Sequence, residues 1–197
     1  MSKIIVQRKA EVKKNFVNGL SRVEVLAGTY DQAKFFRCDM KTGSDWQPEQ
    51  YGKDDKCQIF LFTSGKGYIA TDKLANNITE TAVFVPNFSE EKFVIHAASD
   101  LEFIQIICVM SKYDKLAFAE SSLTLPRFRL LSDCWTYEER FKGPGIKSYM
   151  MLEHRNLGRF SMGAVIGCGP DVVGDHMHPD LEQWYITLPG ASFTYLA

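Results

Sequence analysis

Residues 174–190 read GDHMHPDLEQWYITLPG and hold two of the chain's four histidines. Side chains two apart on a β-strand share a face, so His176 and His178 are expected to project together. Pro179 and Asp180 supply turn chemistry, and residues 182–188 are predicted to return as a second strand opened by Glu182. Two imidazoles and a carboxylate converging from adjacent strands are a ligand set for a first-row transition metal. The plain alternative is a solvated polar loop on a β-rich protein. We take His176, His178 and Glu182 as the expected metal ligands.

Outward from that stretch, the chain reads as short strands broken by turns. Residues 147–152 and 160–166 precede it, joined through a turn at Asn156, Leu157 and Gly158. Residues 57–63 form a continuous apolar run, the pattern of a strand buried on both faces. A turn over residues 64–67 leads into 68–71 as a hairpin. Further strands are predicted over 4–6, 22–27, 33–40, 81–86, 92–96 and 102–109, with a turn at Asn76 and Asn77 and a long loop over 41–56. A helix is expected over 113–120, capped by Ser111. Many short strands with little helical period predict an all-β fold of antiparallel barrels or sandwiches.

His176, His178 and Glu182, with Gly190 eight residues beyond the last, resemble the first signature of the cupin superfamily. The leading glycine departs from it: Gly174 is too close to His176, and Gly169 or Gly167 stands nearer the expected place. Earlier, IFLFTSGKGYI (59–69) resembles the strand-glycine-strand that follows this signature, and AVFVPNF (82–88) the strand and proline of the second. Counting back from Gly65 reaches Cys57, Lys53 and Tyr51, or Gln58, Asp54 and Gly52 one residue on. Neither register contains a histidine, and Glu91 stands near the place of the second signature's histidine. The resemblance therefore implies a bicupin of two antiparallel β-barrels (double-stranded β-helices). A degenerate barrel spans 1–110 and a connector 111–145, whose aromatics Phe128, Trp135, Tyr137 and Phe141 are expected at the junction. Residues 146–197 form the first half of a metal-binding barrel. The chain ends seven residues past Gly190, so the second barrel is expected to be truncated, with its fourth metal ligand missing. The other reading is that a second copy, as in a homodimer, covers the apolar edge over 193–196.

That resemblance implies a divalent transition metal (Fe, Mn, Zn or Ni) serving as Lewis acid or dioxygen-activating centre. The implied activity is that of an isomerase, a decarboxylase or a dioxygenase (an oxidoreductase) on a small oxygenated metabolite. The alternatives are a non-catalytic sugar- or small-acid-binding module whose metal orients the ligand, and a structural pair of barrels that binds metal incidentally. Strand parity sets Trp184 and Ile186 beside Glu182, so Trp184 is a candidate wall of the ligand pocket, as is Tyr149. His154 is a candidate proton-transfer group or a surface histidine, and His96 a structural one. A net charge of −1 argues against nucleic acid as partner. No apolar run reaches membrane-spanning length. The absence of a signal peptide and five dispersed cysteines point to a cytoplasmic protein with reduced, mostly buried thiols.

Overall fold

A computed structural model describes residues 4–194. In chain order the elements are β1 (Leu20–Val25), β2 (Ala33–Met40), β3 (Asp45–Trp46), β4 (Lys56–Ser64), β5 (Gly67–Thr71), β6 (Ala75–Ile78), β7 (Ala82–Val85), β8 (Phe93–Ala97), β9 (Leu101–Val109), α1 (Lys112–Glu120), β10 (Arg127–Leu130), β11 (Thr136–Tyr137), β12 (Ile146–Leu157) and β13 (Phe160–Gly167). They build a six-stranded sheet ordered β1-β2-β9-β4-β7-β10, a four-stranded sheet ordered β3-β8-β5-β6, and a three-stranded sheet β11-β12-β13. Every strand pair is antiparallel.

The apolar run over 57–62 exists because its sheet is buried on both faces. Phe60 and Phe62 point inward to Ile69, Phe93 and Ile95 of the four-stranded sheet, making the barrel core. Cys57, Ile59 and Leu61 point outward, where Met151, Leu152 and Leu157 of β12 cover them. β7 divides in the same way, with Ala82 and Phe84 inside and Val83 and Val85 outside. The rest of the outer face is ionic. Arg37 and Asp39 of β2 are buried with Glu102 of β9 beside them, and Lys14 and Lys9 reach over from the amino-terminal segment.

The sheet order turns on tight corners. Gly65, between β4 and β5, has φ +91°, and its α-carbon lies against the Asp100 carbonyl and Leu101. A Cβ has no room there, and the backbone conformation is one that favours glycine.

The expected helix forms as α1, with Ser111 capping it. The Ser111 side chain accepts from the Asp114 N–H at 3.2 Å, while Asp114 Oδ2 accepts from the Ser111 N–H at 2.9 Å. Asp114 is completely buried and also accepts from the Arg159 N–H at 2.8 Å, tying the helix to the β12–β13 turn.

Several expectations are corrected. Residues 4–6 are exposed and form no strand. Asn76 and Asn77 lie inside β6; the chain turns just before, where Thr71 Oγ1 accepts from the Lys73 and Leu74 N–H groups. The loop over 41–56 contains β3, and the connector contributes β10, which pairs with β7 at the edge of the six-stranded sheet. Residues 182–188 form no strand. Their alternation persists, but Trp184 and Ile186 use it to dock side chains on the outward cluster, and no neighbouring strand pairs with their backbone among the described residues. Outside these corrections, the second half, expected only as part of a barrel, is a three-stranded sheet with an extended tail. Of the apolar edge expected over 193–196, Tyr195 and Leu196 lie outside the described residues. No helix among the described residues is long and apolar enough to cross a membrane.

Candidate functional site

The histidine pair is held by the segment before β12. Gly143 N–H donates to the Val172 carbonyl at 3.0 Å, Gly174 N–H donates to the Phe141 carbonyl, and Lys142 bridges Val173. Asp171 fixes the corner, its Oδ2 accepting from the Gly145 N–H at 2.6 Å. Its carboxylate occupies the space a Cβ on Gly143 would need. A side chain at 143 would therefore have to displace the Asp171 carboxylate.

On that frame His176 lies flat on Phe141, with ring centroids 4.0 Å apart and 17° between planes. His178 meets His176 edge-on at 4.8 Å and 89°. His176 Nδ1 donates to the Gly174 carbonyl at 2.9 Å, which leaves Nε2 to face a ligand. The two imidazoles that strand parity placed together are together, although no strand carries them. Phe141 was read from the sequence only as junction packing; its stacking on His176 had no signal there.

Glu182 does not join them. It is exposed, and among the described residues no three His, Cys, Asp or Glu side chains gather to hold a metal ion. As placed, the three expected ligands do not come together as one donor set. The cause lies two residues on. Trp184 packs on Tyr30 at 4.9 Å and on Phe35 at 5.0 Å, on the outer face of the six-stranded sheet. Tyr149 is half-buried against the same cluster. Both residues therefore sit in the packed layer between sheets. His154 is exposed on the irregular end of β12, where its register with β13 shifts. Beside it, burial works to raise the Glu153 carboxyl, but its own backbone N–H and Arg129, 2.7 Å away, outweigh that and hold it low.

The first barrel is organised differently. Neither register counted from Gly65 describes the interior as a whole: Gln58 is buried inside and Tyr51 packs on the inner cluster, while Cys57 faces the outer cluster and Gly52, Lys53 and Asp54 are exposed. Gln105 Nε2 donates to Gln58 Oε1 at 2.7 Å, and Gln58 Nε2 donates to the Glu49 carbonyl at 2.7 Å. Glu91 is buried, and Gln50 donates to its backbone carbonyl. His96 is tied to Asp45 at 2.7 Å and stacked on Tyr68 at 4.6 Å, the structural role expected of it.

Among known proteins, no family description matches the sequence, and no curated protein does. Solved structures do match. A protein of Pseudomonas aeruginosa described as glyoxylate-induced superimposes with a TM-score of 0.53 at 9% identity, over 71% of this chain and 53% of that one. That superposition adds to two facing antiparallel sheets with one buried core. The two facing sheets have the cupin fold. Shorter cupin matches include the Cupin 2 conserved barrel domain protein from Salinispora arenicola, with 9% identity, TM-score 0.44, and 54% of this chain and 90% of that chain covered. Another is a predicted oxalate decarboxylase from Thermotoga maritima, with 19% identity, TM-score 0.47, and 53% and 99% covered. At these identities the likeness to cupins is one of fold.

Proposed function

We propose that the protein is a bicupin that acts on a small oxygenated metabolite and takes a divalent transition metal at His176 and His178, with Glu182 as third ligand. The observation that carries this reading is the imidazole pair, edge-on at 4.8 Å and braced by Phe141. A bound Fe, Mn, Zn or Ni ion would supply Lewis-acid or redox chemistry. The chain's own contribution is to orient His176 through Nδ1 and Phe141, leaving Nε2 toward the ion. Glu182 completes the set only if the exposed 179–183 segment folds toward the pair, since Trp184 pins the chain immediately after it. Elemental analysis of purified protein tests the assignment. Metal in wild type, with loss in His176→Ala and in His178→Ala, is expected; unchanged metal in both variants contradicts it.

A second reading is favoured by the exposure of Glu182 and the absence of a three-ligand set among the described residues. In that reading the protein is a binding module for a sugar or small acid, its metal only orients the ligand, and there is no turnover. Assay against a panel of sugars, keto acids and phenols separates the two, because only the enzyme consumes one of them.

A further inference from the structure

The barrel without histidines carries a site of its own. Between the edge strands β1 and β3 lies a cleft of about 470 Å³, lined by Asn15, Asn18, Arg22, Asp45, Trp46 and Gln47 among others. That volume is within the usual range for small-molecule sites, about 300–1,000 Å³. Arg22 is the cation there, and it is aimed. Its guanidinium lies over the Phe36 ring at 3.4 Å, and its Nε donates to Gln105 Oε1 at 2.7 Å. Gln105 is held by Gln58, and Gln58 by the Glu49 carbonyl, so a chain of buried amides sets the orientation. No ion pair involves Arg22 among the described residues, and its two terminal nitrogens remain as a planar fork. Asp45, the acid of the cleft, is committed to His96. Trp46 stacks on Phe103 at 5.9 Å and offers an apolar wall.

We propose that this cleft binds a small hydroxylated carboxylic acid, with its carboxylate on Arg22 and its hydroxyl groups on Asn15, Asn18 and Gln47. A guanidinium fork matches a carboxylate two-to-two. One cation beside one carboxylate suits a monoanion rather than a doubly charged phosphate. The site requires no metal and does not depend on His176.

The test is calorimetric titration of gluconate, malonate, glucose and inorganic phosphate into wild type, Arg22→Gln, Arg22→Lys and His176→Ala. Gluconate is expected to bind wild type and His176→Ala alike, at one site per chain. Arg22→Gln is expected to weaken it at least about tenfold, since a charge-assisted hydrogen bond is lost. Arg22→Lys keeps the charge without the fork and is expected to fall between. Arg22 is exposed, so both variants are expected to fold. The proposal is overturned if gluconate does not bind wild type, if gluconate binds Arg22→Gln as well as wild type, or if malonate, phosphate or glucose binds more tightly than gluconate. Loss of metal in His176→Ala with gluconate binding intact would separate this site from the metal reading.

Discussion

Single side chains carry the sharpest consequences. Asp114 is fully buried, caps α1 and accepts from Arg159, so Asp114→Ala strands the Ser111 and Arg159 donors. A loss of about 3 kcal/mol is expected, read from denaturant midpoints; a loss under about 1 kcal/mol would contradict the role of Asp114 as staple. Asp39 is one of the carboxylates that oppose acid unfolding. Burial works to raise its carboxyl, but Arg37 and Lys14 outweigh burial and hold it below the usual range. Stability from that shift is present above the ordinary carboxylate value and is lost as pH falls through the depressed folded value. Asp39→Asn is therefore expected to flatten the stability curve on the acid side of the ordinary carboxylate range. An acid limb as steep as wild type's would rule this out. Thiols divide by burial: Cys38, Cys57, Cys108 and Cys134 are buried and Cys168 is exposed. Burial pushes the Cys38 thiol up to about 12. One rapidly labelled thiol per native chain is expected, absent in Cys168→Ser.

At the scale of elements, the strands were legible where the sequence pattern had one cause. Residues 33–40 read as a strand and are β2; residues 57–63 read as buried on both faces and lie in β4 between two apolar clusters. The two histidines that the spacing sets side by side do lie side by side. What could not be read was whether a neighbour would be there to pair with. Residues 182–188 have the alternation of a strand, yet their apolar parity is satisfied by side-chain docking, and Glu182 is left outside. In the opposite sense, Asn76 and Asn77 have turn chemistry but lie in a strand, because β5 offers its edge to them. The Arg22 network was invisible for a related reason: its members come from three strands distant in sequence and meet only once those strands lie in one sheet. Trp184 is the anchor of the tail. Trp184→Ala is expected to cost about 2 kcal/mol for a half-buried aromatic. It is also expected to speed proteolysis between residues 175 and 188; unchanged cleavage would mean that the tail is held elsewhere.

For the whole molecule, the shared outer cluster decides how it unfolds. Leu61 of β4 and Leu152 of β12 belong to one core, so a single cooperative transition is expected in far- and near-ultraviolet circular dichroism. Two separated transitions would show that the three-stranded sheet stands independently. The same sheet also governs where the chain can be cut. Residues 1–110 expressed alone would uncover Phe35, Ile59, Val83 and Ile106 as one greasy plateau. Such a fragment is expected to stick to its own copies and reach the pellet, so the barrel's solubility resides in the hairpin that roofs it.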